Sequence, residues 1–242
     1  MNNLSAQRDA IASLLAPSAP EDAQAAYYAL YHDPRRTELT LYRTPDDRAT
    51  GFIAVCQTGQ DLFRPLVVMR APDAHAATDL LLRALIPGRP YFFLAPANLV
   101  AGVQDVLEMS SPSVQRILLV DPSRFALLQT VRINVLVQEN HGPEGQPRWE
   151  IRSGGQPAAV AGTNWRSPFC AEVFVFTAPE FQGRGWGQAV VRAATLGLLH
   201  EGLLPLYIVD EDNLPSIQLA EAVGYRDSGH RMVAAEVRVR LG

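Results

Sequence analysis

The sequence predicts a mixed α/β fold in which helices and strands follow one another along the whole chain. Apolar residues recur at helical spacing in several segments, and short β-rich segments lie between clusters of turn residues. One strand leads through a glycine-rich loop directly into a helix. The chain has 242 residues, of which 48% are hydrophobic and 19% charged, so it can bury a core as one large domain or two small ones.

The first half begins with two helical segments, SAQRDAIASLL and PEDAQAAYYALY. Pro20, Glu21 and Asp22 open the second segment, and these residue types suit the first turn of a helix. Strands then follow, and a helix, AHAATDLLLRAL, leads to an apolar strand, YFFLA. The other strands predicted in this half are Glu38–Arg43, Gly51–Gln57 and Leu62–Met69.

The second half repeats this order of elements. Val131–Gln138 alternates apolar and polar residues, which predicts a half-buried strand. Further strands are predicted at WEIR, AAVAGTN, EVFVF and LYIV, with a helix, QAVVRAATLGLLH, before the last of them. In that helix Gln188, Arg192 and Thr195 fall at i, i+4 and i+7, so we expect this narrow stripe to face water.

An internal repeat accompanies the repeated order of elements. PYFFLAPANL aligns with PLYIVDEDNL, and the preceding helices keep the same offset without a gap. The identities at that offset pair Pro90 with Pro205, Asn98 with Asn213 and Leu99 with Leu214. We therefore expect a duplication, with one lobe over residues 1–121 and a second over 122–242. Only the second lobe contains the glycine-rich insertion TAPEFQGRGWG.

Composition excludes several classes of function. The formal net charge is −4 and no run of five like charges occurs, so binding to nucleic acid is not favoured. All 21 basic residues are arginine, which excludes a Schiff-base lysine and a P-loop. No GxSxG sequence occurs, so a serine hydrolase has no support. We expect no metal site, because the five histidines have no metal-ligand spacing: His32, His75, His141, His200 and His230.

The sequence also bears on the compartment. Cys56 and Cys170 are too few for a disulfide framework, which favours a reducing compartment. No apolar stretch reaches the roughly 18 to 20 residues of a membrane span. The first residues carry Asp9 and no basic segment, unlike a secretory signal. We therefore expect a cytoplasmic protein without a membrane association.

The loop QGRGWG places three glycines at alternate positions between a strand and a helix. Such a loop can direct several N–H groups, together with the positive end of the helix dipole, at one phosphate. A tight turn with glycines for packing is the alternative. A dinucleotide-binding Rossmann turn has less support, because its third glycine would fall at Gln188 and too little chain follows, although Asp210 matches its ribose-binding acid.

Two segments in this half carry recognisable patterns. In AEVFVFTAPEFQGRGWGQAVVRAA, Gln182, Gly185 and Gly187 fill the pattern Q/R-x-x-G-x-G/A. In DEDNLPSIQLAEAVGY, a second pattern is formed by Asn213, Ser216, Gly224 and Tyr225. The two patterns resemble the acyl-CoA-binding loop and the downstream segment of the GNAT N-acetyltransferase superfamily. The resemblance covers about residues 130–242, and the first lobe would be a degenerate copy in a tandem arrangement.

The resemblance implies that acetyl-CoA is the cofactor, used as a co-substrate. The loop amides would hold its pyrophosphate, and the strands EVFVF and LYIV would splay to admit the pantetheine arm. Arg184 either meets a CoA phosphate or is simply solvated. The implied cofactor-binding residues are Phe174, Val175, Phe176, Gln182, Gly183, Arg184, Gly185, Trp186, Gly187, Gln188, Asn213 and Ser216.

The implied catalytic base is Glu172, at the start of EVFVF, and its alternative is a solvated charge at a strand end. A base is needed because an alkyl ammonium has a pKa of about 10.4 and must lose a proton before it can attack. The position of the usual acid tyrosine holds Ala220, and neither Tyr207 nor Tyr225 is a well-supported substitute.

The resemblance implies an N-acetyltransferase in which a primary amine attacks the thioester directly. Cys170 keeps a covalent route open, although a small buried cysteine is the more ordinary interpretation. We expect the acceptor to bind in a cleft bordered by the first lobe, in a monomer or a homodimer. The alternative is a non-catalytic CoA-binding or protein-interaction module of the same fold, favoured by Ala220 and by the missing loop of the first lobe.

Overall fold

A computed structural model of the protein describes residues 3–59, 61–127, 134–142 and 145–240. The chain forms two compact units, and helices and strands are mixed in both. The first unit contains Met1–Gln115 and Arg231–Gly242, and the second contains Arg116–His230. The predicted mixed α/β fold is confirmed.

Three helices of the first unit agree with the sequence prediction, and the short fourth helix was not predicted. They are α1 (Leu4–Ile11), α2 (Pro20–Ala26), α3 (Ala74–Ala84) and the short α4 (Ala97–Val100). Pro20 lies in the first turn of α2, followed by Glu21 and Asp22, so these three residues begin the helix as predicted. A π-helical segment, Tyr27–Tyr31, continues α2.

The strands of the first unit form a mixed sheet. They are β1 (Thr37–Arg43), β2 (Ala49–Cys56), β3 (Leu66–Arg70) and β4 (Tyr91–Pro96), with parts of β5 (Leu107–Val120) and β11 (Tyr225–Val239). Their order is β1-β2-β3-β4-β11-β5. The pair β3–β4 is parallel, whereas β1–β2, β2–β3 and β4–β11 are antiparallel.

One strand of this unit begins later than predicted. The prediction placed its start at Leu62, but the strand begins at Leu66. Asp61 accepts hydrogen bonds from the backbone N–H groups of Phe63 and Arg64, at 2.8 and 3.1 Å, so these residues form a turn instead.

The second unit also contains helices on a mixed sheet. Its elements are α5 (Pro122–Leu127), β6 (Gln138–His141), β7 (Pro147–Ser153), β8 (Gln156–Arg166), β9 (Cys170–Thr177), α6 (Trp186–His200), β10 (Leu204–Asp210) and α7 (Leu214–Val223). The strand order is β5-β10-β9-β8-β7-β6. Strands β6 to β9 form an antiparallel meander, and β10 is parallel to β9. The long strands β5 and β11 were not predicted.

The predicted strand Val131–Gln138 is wrong where the structure describes it. Its first three residues lie outside the described residues, and residues 134–137 are not in a strand, which begins only at Gln138. Val135 and Val137 nevertheless pack against the core of this unit. The apolar alternation therefore reflects burial of two side chains rather than pairing of the backbone.

Thr195 also corrects a prediction. We expected it on a water-facing stripe of α6, but it is fully buried. Its hydroxyl donates to the carbonyl of Val191 at 2.8 Å and shares a 2.7 Å hydrogen bond with the hydroxyl of Tyr225. Because the hydroxyl groups of Thr195 and Tyr225 are hydrogen-bonded inside the core, a polar residue at this position does not indicate exposure. Gln188 and Arg192 are half-buried.

The predicted division of the chain differs from the compact units at its C-terminal end. The prediction placed residues 231–242 in the second lobe, whereas they lie in the first unit. The reason is strand pairing, because β11 forms an antiparallel ladder with β4 from Met232–Pro96 to Val237–Tyr91. The description of the first unit as a degenerate copy of the second stays a prediction.

Two observations concern the described residues only. No helix among them is both long and apolar enough to cross a membrane. Within the same part of the chain, no group of three or more His, Cys, Asp or Glu side chains could hold a metal ion.

Candidate active site

The two parallel strands of the second unit separate part of the way along their length. The ladder between β9 and β10 pairs Leu204 with Cys170 and ends with Leu206 opposite Glu172. Both strands continue, to Thr177 and Asp210, but no further pair joins them in the described part of the chain. Their facing N–H and C=O groups can therefore bind a ligand instead of each other. Glu172 lies where this opening begins.

Two of the three glycines of the loop have a backbone conformation that residues with a Cβ atom disfavour. Gly183 and Gly185 have φ values of 76° and 75°, in the left-handed region that side chains disfavour. Gly185 is the N-cap of α6, and no side chain of the described residues caps this helix. The first N–H groups of α6 therefore have no intrahelical or capping acceptor, which suits them to an anion.

Gly187 has a packing role, in contrast to the other two glycines. A Cβ atom at this position would lie 2.9 Å from Cδ1 of Leu219 and 3.0 Å from Oγ1 of Thr177. The missing side chain therefore allows α6 to approach both α7 and β9. The alternative interpretation, glycine for packing, therefore fits Gly187, whereas a Cβ atom at Gly183 would have no atom within 4 Å.

A cavity of about 780 Å³ lies beside the loop, the open part of β9 and the start of α7. Most of the predicted cofactor-binding residues line it: Val175, Phe176, Gln182, Gly183, Gly185, Trp186, Gly187, Gln188, Asn213 and Ser216. The prediction missed six lining residues, namely Thr177, Pro179, Phe181, Pro215, Gln218 and Leu219. The helical spacing of residues 215, 218 and 219 is the signal that could have found the last three.

Two predicted cofactor-binding residues are not among those that line this cavity. Phe174 packs against β8, where a Cβ atom at Gly162 would lie 2.8 Å from its ring. The guanidinium of Arg184 lies over the rings of Phe181 and Trp186, 5.2 and 5.5 Å from their centroids. Arg184 is therefore exposed but held on an aromatic surface, next to the cavity mouth that both rings line.

The start of α7 connects the cavity wall to a buried tyrosine. Asn213 caps the helix, because its Oδ1 accepts from the backbone N–H of Ser216 at 3.2 Å. The hydroxyl of Ser216 in turn shares a 2.8 Å hydrogen bond with the hydroxyl of Tyr207 on β10. Burial raises the pKa of Tyr207, so this phenol keeps its proton at neutral pH.

The two other candidate acid positions are in the core. Ala220 is fully buried. Tyr225 is fully buried as well, and this burial raises the pKa of its hydroxyl, although the hydrogen bond with Thr195 opposes part of the rise. Neither residue lines the cavity.

Glu172 is almost completely buried, with 9% of its surface exposed. Burial raises the pKa of its carboxyl from 4.5 to about 7, and hydrogen bonds from the side chains of Asn164 and Trp165 oppose part of that rise. By strand alternation Glu172 shares a face of β9 with Phe176, opposite the face of Thr177, which approaches α6 at Gly187. It is therefore not a solvated charge at a strand end.

The cysteines are ordinary buried residues. Cys56 and Cys170 are both fully buried, and neither is in a disulfide. Burial raises the pKa of the Cys170 thiol to about 11 and that of Cys56 to about 12. A thiol with so high a pKa is protonated at neutral pH and is a poor nucleophile, which disfavours the covalent route through Cys170.

Comparison with known proteins agrees with this geometry. The model of the family described as FR47-like protein matches residues 151–234, which include β9, the glycine-rich loop, α6, β10 and α7. The comparison with curated proteins finds no match.

Several solved structures share the fold at low sequence identity. A GCN5-related N-acetyltransferase from Sphaerobacter thermophilus has a TM-score of 0.68 and 13% identity, over 98% of this chain and 94% of that one. One from Kribbella flavida has a TM-score of 0.62 and 16% identity, over 91% and 96%. A tandem GNAT protein from the clavulanic acid biosynthesis pathway has a TM-score of 0.63 and 15% identity, over 100% and 97%. The chain therefore has the GNAT acetyltransferase fold, and its residues 151–234 carry the FR47-like sequence.

Proposed function

We propose that the protein is an acetyl-CoA-dependent N-acetyltransferase that acetylates a primary amine. The observation that carries the proposal is the position of Glu172. This buried carboxylate lies where the β9–β10 ladder ends, and a cavity walled by the uncapped start of α6 opens beyond that point.

The loop and helix of the second unit would hold the phosphate groups of the co-substrate. The backbone N–H groups from Gly183 to Gln188 are at the positive end of α6, which has no side-chain cap among the described residues. The chain has no lysine, so arginine is the available phosphate-binding cation. Arg184, already placed on the aromatic pair at the cavity mouth, is suited to a phosphate group outside the loop.

The separated strands would hold the pantetheine arm. Its two amides can pair with backbone groups of β9 beyond Glu172, as an additional strand would. Val175, Phe176 and Leu219 supply apolar walls around it, and Ser216 supplies a hydroxyl. An arm bound in this way would direct the thioester toward the end of the ladder, where Glu172 lies.

Glu172 has the properties that the proton transfer requires. A carboxylate with a pKa of about 7 is ionised in half or more of the molecules at neutral pH and is a far stronger base than an exposed glutamate. It would take a proton from the ammonium, and the neutral nitrogen would then form its bond to the thioester carbonyl carbon. The carbon–sulfur bond then breaks, giving an amide and free CoA, whose sulfur takes up the second proton that the nitrogen loses.

The experiment uses thiol release and CoA binding together. We expect a panel of primary amines to include acceptors that release free CoA from acetyl-CoA. Glu172→Gln should lower kcat at pH 7 by about 10² to 10⁴-fold while calorimetry shows unchanged affinity for CoA. Glu150→Gln is the matched control, because Glu150 is also buried and bonded by an asparagine, on a different pair of strands.

Each alternative has its own result. CoA binding without thiol release from any amine would indicate the non-catalytic module instead. The absence of any heat with CoA would contradict the binding site itself. An equal loss of rate in Glu172→Gln and Glu150→Gln would show that both substitutions disturb the folding of the second unit, and it would contradict the role of Glu172 as the base.

A further inference from the structure

Strand β8 contains an irregularity directly beside Glu172. In its ladder with β9, Thr163 pairs with Val173 and Trp165 pairs with Glu172. Asn164 lies between these pairs and has no opposite residue, which makes it the extra residue of a β-bulge. Bulges re-aim side chains that a regular strand would direct elsewhere, and they are frequent next to active sites.

The bulge brings the side chain of Asn164 to the carboxylate of Glu172. The amide nitrogen Nδ2 donates to Oε1 of Glu172 at 2.9 Å. Asn164 is itself exposed, whereas Glu172 is buried, so the asparagine covers the carboxylate on its solvent side. A hydrogen bond to an ionised group is about twice as strong as one between neutral groups.

The groups that surround Glu172 are uncharged. The side chains of Asn164 and Trp165 stabilise its ionised form, and no charged side chain of the described residues contributes to its pKa shift. On the neighbouring strands, Arg166 of β8 is ion-paired with Glu201, and Tyr207 of β10 is hydrogen-bonded to Ser216. The hydrogen bond from Asn164 is therefore the first of the two that oppose the rise of the Glu172 pKa on burial.

We infer that Asn164 is a positioning residue for the proposed reaction: through its bulge it orients the carboxylate of Glu172 and stabilises the ionised form that accepts the proton of the amine. The inference rests on the proposed function. It adds a residue that the sequence motifs do not include. It also gives a reason for the interruption of the β8–β9 ladder directly next to the pair of Trp165 with the buried glutamate.

The test removes the N–H group of Asn164 that donates to Glu172 but keeps a side chain over the carboxylate. Asn164→Leu has nearly the same size but no N–H group. We expect the acid limb of the kcat/KM profile to move upward by about one pH unit, because the ionised carboxylate loses a hydrogen bond. The rate should then fall about tenfold at pH 6 and approach the original rate at pH 9, with CoA affinity unchanged. Asn164→Asp places a second carboxylate there and should move the limb further upward.

The control is the other asparagine–glutamate pair of this unit. Asn140 donates to Glu150 across β6 and β7, without a bulge, so Asn140→Leu should leave the acid limb where it is. A loss of rate in Asn164→Leu that is the same at every pH would show a merely structural role and overturn the inference. A downward shift of the limb would overturn it as well.

A direct titration separates this inference from the proposed function. The carboxyl carbon of Glu172, followed by NMR in the full chain, reports its pKa whether or not any amine is acetylated. An upward shift in Asn164→Leu supports the role of Asn164, even if no acceptor is turned over and the proposed function fails. An unchanged titration, with turnover that still depends on Glu172, refutes the role of Asn164 alone.

Discussion

At the scale of one residue, the raised pKa of Glu172, on which the proposed catalysis depends, lowers folding stability. Its pKa is about 7 in the folded protein and 4.5 in the ordinary reference state. The folded chain therefore holds a proton that the unfolded chain releases between these two values. It follows that this group lowers stability as the pH rises from about 4.5 to 7, and that the loss is complete above pH 7.

Glu172→Gln should accordingly stabilise the protein at high pH. The neutral amide avoids burial of a charge, and a difference of two to three pKa units corresponds to about 3 kcal/mol in the free energy of unfolding. We expect this gain at pH 8 and no gain at pH 4.5, measured by urea unfolding. Glu150→Gln should show no such gain, because that carboxylate is ion-paired with Arg152. A gain of equal size at both pH values would contradict the explanation.

Helix α6 shows at the scale of one element how the two ends of a helix differ in function. Both ends have a glycine in the left-handed region with open space around its Cα atom, Gly183 before the helix and Gly202 after it. The positive φ therefore accounts for the presence of glycine at both positions. Of the two, Gly183 lines the cavity and Gly202 does not.

This pair of glycines gives a matched test of the loop. Gly183→Ala and Gly202→Ala should each lower the free energy of unfolding by about 1 kcal/mol, because a side chain is disfavoured at positive φ. Only Gly183→Ala should also weaken CoA binding, by about tenfold, since it would redirect the amides that we propose to bind the phosphates. Calorimetric titration of both variants with CoA is the measurement. Equal weakening in the two variants would remove the loop as the binding element.

The two units, each considered separately, differ in how their main helix begins. In the first unit, α3 follows β3 after a short connection, and Asp73 caps it by accepting from the N–H of Ala76 at 2.8 Å. A carboxylate thus occupies the position that an anion would take. In the second unit, the corresponding helix α6 begins at Gly185 without a side-chain cap among the described residues. The whole molecule should therefore have one CoA site.

Calorimetry should give a stoichiometry of one CoA per chain. Hydrogen exchange should slow at the amides of residues 182–188 and at the start of α7 when CoA is added, because these groups become bonded or covered. The start of α3 should exchange at the same rate with and without CoA. Protection at Ala76, or binding of two CoA molecules per chain, would show that the first unit retains a site.

The sequence alone determined the local features of this protein. Helical and strand periodicity placed α2, α3 and α6 and most of the strands, because each depends on contacts between near neighbours. The three alternate glycines indicated a loop with unusual backbone freedom, and two of them, Gly183 and Gly185, have φ values in the left-handed region. Most of the residues that line the cavity were found because they lie in one loop and the segments next to it.

Only the tertiary structure decided which polar residues are buried and what they contact. Thr195 looked exposed but is paired with Tyr225, 30 residues away along the chain. The buried state of Glu172, its partner Asn164 and the end of the ladder at Leu206 all depend on how three strands lie side by side. Pairing and desolvation join residues that are distant in sequence, and periodicity along the chain carries no information about them.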